Sequence, residues 1–172
     1  MELPVRKDIR LRGYDYSKSG RYFITICVKD RHELLWELHV GARIARPQLS
    51  DIGKAIEKAR PQLSDIGKVI EKAIDNIPHI YESVTIDKYV IMPNHIHMIL
   101  MIGHNCGRAM RAPTISMIIN QMKGYVSKQV GYSVWQKLFH DHIIRDDIEY
   151  QRILQYMDEN PARWNEDEYY TQ

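Results

Sequence analysis

Two histidines one residue apart, His95 and His97, are the side chains of this sequence best suited to holding a metal ion. On a β-strand, residues two apart project from the same face, so both imidazoles point together while Ile96 and Met98 point the other way. Two ring nitrogens side by side on a rigid strand, just after the Pro93-Asn94 turn, form a ready pair of ligands for a divalent cation. The plainer alternative is two ordinary histidines on a polar sheet face, and His-x-His alone does not decide between them. A third histidine two positions later would suggest a nucleotide-hydrolysing histidine triad, and Ile99 speaks against that. Two nitrogens rarely complete a site, so a further ligand and a reactive group must come from elsewhere. The stretch leading to Asn160-Pro161 offers both. At about 100° per residue, Tyr150, Ile153, Leu154 and Met157 form one buried stripe of a helix. Tyr156 and Asn160, four apart, are neighbours on its flank, placing a phenol beside an amide. The alternative for Tyr156 is a packing residue with its hydroxyl in water, and among 11 tyrosines spacing does not single one out.

Several elements must position these groups. Arg21 to Val28 is rich in β-branched and aromatic residues and reads as a first strand. Val84 to Met92 and His95 to Ile102 read as an antiparallel hairpin closed by Pro93-Asn94. Thr114 to Val130 carries Ile115, Ile118, Ile119, Met122 and Val126 at helical spacing. Val134 to Ile144 suits a fourth, irregular strand. The last helix is expected to begin at Asp146 or Asp147, where a carboxylate caps free N–H groups, and to stop near Pro161. Residues 45–58 recur as residues 59–72, differing at Ala55 and Val69. One duplication is not a solenoid, which needs at least three units. Pro61 prevents a single helix through both copies. The second copy, capped by Ser64 and striped by Leu63, Ile66, Ile70, Ala73, Ile74 and Ile77, is expected to pack, with the first copy a tolerated extra segment. The order strand, helix, hairpin, helix, strand, helix predicts one α+β domain over residues 1–172, with helices on an antiparallel sheet.

The composition narrows the classes without choosing one. At 172 residues, with 44% hydrophobic and 27% charged residues, the chain suits a single globular domain. A net charge of +2 does not establish a nucleic-acid partner. Basic residues nonetheless crowd the first segment, among them Arg6, Lys7, Arg10, Arg12, Lys18 and Arg21, a pattern that can track a phosphate backbone or simply be solvated. Cys27 and Cys106 make neither a metal knuckle nor a disulfide framework, which points to a reducing cytoplasm. No apolar leader or spanning stretch is present, so neither export nor membrane insertion is expected.

Four stretches resemble one family. MPNHIHMIL at 92–100 looks like the metal-binding strand of the REP-associated tyrosine transposases and their insertion-sequence relatives, which are single-tyrosine HUH enzymes. RLRGYDYSKSGRYFITICVKDR (10–31), WQKLFHDHIIRDD (135–147) and QRILQYMDENPARW (151–164) are similar to the same family, in its order, over nearly the whole chain. The resemblance implies a ferredoxin-like HUH endonuclease fold, with His95 and His97 as metal ligands, Tyr156 as nucleophile and Asn160 as third ligand. It further implies a Mg²⁺ or Mn²⁺ cofactor and nicking and rejoining of single-stranded or hairpin DNA through a 5′-phosphotyrosine bond. Arg10, Arg12, Lys123 and Arg145 are candidate DNA-backbone contacts. His140 and His142, near the carboxyl end of the expected fourth strand, either touch DNA or pack. Family members include homodimers that share active sites and others that act as monomers. The duplication, the short link from Ile102 to Pro113 and the little sequence after the last helix depart from the family pattern and bear on target choice. Two other classes stay open: a domesticated DNA-binding protein of the same fold, and a metallohydrolase that uses the histidine pair and a water on a substrate other than nucleic acid.

Overall fold

Pairing of four strands in the order β2-β3-β1-β4, every neighbour antiparallel, sets the frame of the molecule. The computed structural model describes residues 15–37, 62–103 and 113–170. Strand β1 is Gly20–Cys27, β2 is Val84–Ile91, β3 is His95–Ile102 and β4 is His140–Ile144. Among the described residues, helices α1 (Asp65–Asp75), α2 (Ile77–Ile80), α3 (Ile115–Val130) and α4 (Asp147–Glu159) join the sheet in the α+β architecture anticipated from the sequence. The hairpin is where it was expected, with Met92 N donating to His95 O at 2.8 Å across Pro93-Asn94. The fourth strand is shorter than expected. Residues 134–139 touch the sheet only through a bridge between Val28 and Trp135, and Val134, Trp135 and Phe139 pack into the core as irregular chain. His140 therefore opens β4 and His142 is its middle residue, so neither lies near its carboxyl end. No helix among the described residues is long and apolar enough to cross a membrane.

The alternation of side chains divides the sheet into two unlike faces. Tyr22, Ile24 and Ile26 of β1 with Ile96, Met98 and Leu100 of β3 are buried on one face, against the stripes of α1 and α3. Local chemistry fixes both helices. Ser64 Oγ accepts from Gly67 N at 3.1 Å and donates to Leu34 O at 2.6 Å, a cap that also ties the helix to the chain after β1. Gly67 is required by this approach, since a Cβ there would sit 2.3 Å from Leu35 O. Thr114 caps α3 by accepting from Met117 N, and the helix ends at Gly131 with φ 87°. The second copy of the duplication thus packs as expected, through Gly67 and Ile70, in a helix that continues past it to bury Ala73 and Ile74; the first copy lies outside the described residues.

The other face carries Phe23, Thr25, His95, His97 and Ile99, and α4 lies across it. Met157 is buried with Ile99 and Ile144, and Tyr150, Ile153 and Leu154 pack around them. Burial of a side chain such as Met157 contributes roughly 1.5–3 kcal/mol. Polar contacts pin the helix ends. Asp146 caps the start by accepting from Glu149 N, Arg21 Nη1 donates to Asp147 at 2.8 Å, and Lys88 pairs with Asp158 at 2.5 Å. Tyr150 lies under the Arg21 guanidinium, 4.5 Å from its ring centre, and donates its hydroxyl to Asp87. That makes Tyr150 an anchor of α4.

Candidate metal and tyrosine site

His95 and His97 leave β3 together, and their Nε2 atoms stand 3.0 Å apart in the protein interior. Their other ring nitrogens are both partnered. His95 Nδ1 lies 2.9 Å from Asn94 Oδ1, and His97 Nδ1 lies 2.8 Å from Thr25 Oγ1. Burial holds both imidazoles neutral, with pKa values lowered from 6.5 to about 3; Arg31 adds to the effect at His95, and the neighbouring His95 adds to it at His97.

Tyr156 arrives from α4. Its hydroxyl is 3.2 Å from His97 Nε2 and 3.5 Å from Asp167 Oδ2, and its ring sits edge-on to Phe23, which stacks on His97. The residue is 39% exposed, at the wall of an open cleft of about 610 Å³. Burial first, then the Asp167 and Glu168 carboxylates, raise its pKa well above the ordinary phenol value, and the Asn160 amide opposes them. Asn160, one turn on, is 4% exposed and lines the same cleft, with Nδ2 buried and not in a formed hydrogen bond. Tyr156 and His97 meet within one chain, so the phenol and the imidazoles need no second subunit to come together.

Asp167 was not anticipated. After α4 the chain turns through a 3-10 segment, Asn160–Glu166, and doubles back over the histidines. Asn94 Nδ2 donates to Tyr169 O at 2.7 Å, and Arg31 Nη1 donates to Glu168 O at 3.3 Å. The Tyr169 ring covers His95 at 4.6 Å. This strap brings the Asp167 carboxylate to the two imidazoles, and the three donor atoms lie within 4.8 Å of one another. A cation fits that set. Two nitrogens at right angles about a small divalent ion, bound at about 2.1 Å, are roughly 3.0 Å apart, which matches the Nε2 separation. Imidazole nitrogens suit divalent transition metals and a carboxylate suits Mn²⁺ or Mg²⁺, so this mixed set can take a divalent cation. No signal in the sequence marked Asp167, because its approach depends on the reversal after Pro161.

The anticipated DNA contacts separate. Arg10 and Arg12 lie outside the described residues. Lys123 does not reach the surface beside the site. It is 9% exposed on α3, which packs on the opposite face of the sheet, and its ammonium donates to Gln136 O at 2.6 Å and Lys137 O at 3.2 Å. The reason is positional, since Lys123 sits within the apolar stripe between Ile119 and Val126. Arg145 is exposed but does not line the cleft. His140 pairs with Thr25, level with His97, so Arg145 is about 16 Å farther along the strand direction. His140 and His142 do line the cleft, and His142 Nε2 also contacts Glu149 at 2.7 Å. Arg163, which sequence reasoning did not single out, lines it as well and pairs with Glu159 at 3.2 Å.

The sheet order and the helix bearing Tyr156 give this protein the fold of a REP-associated tyrosine transposase solved bound to a REP hairpin. The two superpose with a TM-score of 0.57 at 18% identity, over 90% of this chain and 73% of that one. The chain is also 32% identical over 185 aligned residues to an uncharacterized protein of Haemophilus influenzae, covering 96% of this chain and 93% of the relative, and it belongs to the same family as that protein. No protein-family model matches the chain.

Proposed function

We propose that this protein is a metal-dependent DNA endonuclease and strand transferase of the transposase type, acting on single-stranded or hairpin DNA with Tyr156 as nucleophile. The observation that carries the reading is the approach of the Tyr156 hydroxyl to 3.2 Å from His97 Nε2, beside His95 and Asp167. A phenol held at a metal-ligand cluster, half open to a cleft, is arranged to attack a bound electrophile rather than to pack. The solved transposase of the same fold is bound to a REP hairpin, which supports a nucleic-acid hairpin, read here as DNA, as the partner.

His95, His97 and Asp167 would hold the cation, and Asn160, which lines the same cleft, would offer its amide oxygen as a further donor. A Mg²⁺ or Mn²⁺ ion bound there supplies Lewis-acid polarisation of the phosphate and offsets the carboxylates that disfavour phenolate. The chain's own residues do the rest. Phe23 fixes the Tyr156 ring and the His97 ring against one another. The phenol gives up its proton, for which Asp167 Oδ2 is the near acceptor. The Tyr156 oxygen forms a bond to phosphorus as the bond to the 3′-oxygen breaks, and the leaving oxygen takes a proton to become a free 3′-OH. The 5′-phosphotyrosine keeps the phosphodiester energy, so rejoining needs no nucleotide cofactor.

A labelled single-stranded or hairpin oligonucleotide library incubated with protein and Mn²⁺, then run on a denaturing gel, tests the reading. A covalent protein–DNA band is expected. Cleavage without a band would assign the chemistry to water, and binding without cleavage would leave a DNA-binding protein of the same fold.

A further inference from the structure

We propose that Asn94 and Thr25 are positioning residues that preset the two imidazoles differently: Asn94 locks His95 in one tautomer, and Thr25 lets His97 change tautomer when a cation binds. The inference rests on the metal reading above, although its first half concerns the metal-free protein.

The Asn94 amide is fully buried, and its orientation is determined by its surroundings. Nδ2 faces two carbonyl oxygens, Tyr169 O at 2.7 Å and Arg31 O at 3.2 Å, both of which only accept. A flipped amide would set oxygen against oxygen at both. Oδ1 therefore faces His95 Nδ1, 2.9 Å away, and an oxygen with no proton requires a donor there. His95 must carry its proton on Nδ1 and its lone pair on Nε2, which is the form that binds a metal. The same amide holds Arg31 at φ 55°, next to Asp30 at φ 56°, a strained pair for residues other than glycine. An amide that secures a strained loop, the strap and a ligand at once is over-determined, so the tautomer of His95 does not change with the contents of the site.

Thr25 imposes no such choice, because a hydroxyl both donates and accepts. With no cation present, a bare His95 Nε2 at 3.0 Å calls for a proton on His97 Nε2, and His97 Nδ1 then accepts from Thr25 Oγ1. With a cation present, both Nε2 atoms must be bare. His97 gives up its Nε2 proton to solvent and takes one up at Nδ1, where the rotated Thr25 hydroxyl accepts it. The charge of the imidazole is unchanged throughout. The pair thus needs one proton relocation and one hydroxyl rotation to go from empty to loaded.

Long-range proton–nitrogen NMR of protein carrying isotope-labelled histidine reads each ring nitrogen as protonated or bare. In the metal-free protein we expect His95 to be protonated at Nδ1 and His97 at Nε2. On titration with Mg²⁺, His97 exchanges the two signatures and His95 keeps its own. His95 protonated at Nε2 in the metal-free protein would overturn the Asn94 half even if the protein nicks DNA, and His97 unchanged by Mg²⁺ would overturn the Thr25 half. Asn94→Asp keeps an acceptor for Nδ1 and loses both donations, so the His95 tautomer should persist and Mn²⁺ affinity should stay well above that of Asn94→Ala. The Ala variant should lose about 10–100-fold in Mn²⁺ affinity. Equal losses in the two would show that the donations to the strap and loop, and not the tautomer, carry the effect. Thr25→Ser should behave as wild type, whereas Thr25→Val leaves His97 Nδ1 without a partner and should keep His97 protonated at Nε2 in the metal-free protein while weakening Mn²⁺ binding. Thermal melts of each variant separate these outcomes from a failure to fold.

Discussion

Acid should destabilise the metal-free protein well before its carboxylates are protonated, and the histidine pair sets the magnitude. His95 and His97 have pKa values of about 3 when folded against 6.5 in an unfolded chain. Between those values the unfolded chain binds protons that the folded one refuses, so stability is complete above pH 6.5 and falls as the pH drops. From pH 7 to pH 5, a site shifted that far loses about 2 kcal/mol, and the pair about 4 kcal/mol. That is a large part of the roughly 5–15 kcal/mol typical of a folded domain. Urea unfolding followed by tryptophan fluorescence in a chelator, at about pH 7 and about pH 5, measures the difference. His95→Gln with His97→Gln removes both of these titrating groups and should remove most of the dependence. A free energy that is flat between the two pH values, or a slope unchanged in the double variant, would refute the reasoning.

Three further outcomes are expected. Tyr156→Phe should fold normally and form no covalent DNA adduct, whereas Tyr150→Phe should keep the adduct and lose only the anchoring hydrogen bond to Asp87, about 1 kcal/mol in a melt; mass spectrometry of the DNA-linked peptide checks the assignment. Asp167→Asn should lower the pKa of the Tyr156 phenol, because a carboxylate that raises it is gone, yet weaken Mn²⁺ binding at least tenfold; phenolate absorbance relative to Tyr156→Phe and a calorimetric titration read the two effects. Deleting residues 45–58 should change the melting temperature by only a few degrees. Glu37 N already donates to Gln62 O at 2.8 Å, so the ends of the shortened connection lie side by side, and a failure to fold would show that the first copy contributes to the core.

Much of the site could be read from local spacing, and what could not depends on the path of the chain. A period of two placed His95 and His97 on one face of β3, and a spacing of four set Tyr156 beside Asn160 on α4. Both periodicities are intrinsic to the backbone and hold wherever the element packs. Asp167 reaches the imidazoles only because the 3-10 segment after Pro161 reverses direction, and no spacing rule encodes that reversal. The Asn94 amide is similarly hidden, since its partners Arg31 and Tyr169 are remote in sequence. Lys123 was a different kind of miss. Its place between Ile119 and Val126 marks it as buried, although its charge suggests an exposed phosphate contact. The fourth strand was drawn too long because Val134, Trp135 and Phe139 are as apolar as strand residues, although they fill the core as irregular chain.

Strand β3 is in effect two interleaved messages. Every second residue, Ile96, Met98 and Leu100, is addressed to the oily layer beneath α1 and α3, while His95 and His97, of the other parity, are addressed to Asp167 and the candidate cation site. A survey of substitutions along these few residues would alternate between two unrelated phenotypes. Chains altered at even positions would disappear into aggregates or proteases, and chains altered at the histidines would accumulate in full amount and do nothing. Abundance and the proposed activity, which usually decline together in a damaged protein, would come apart here from one residue to the next.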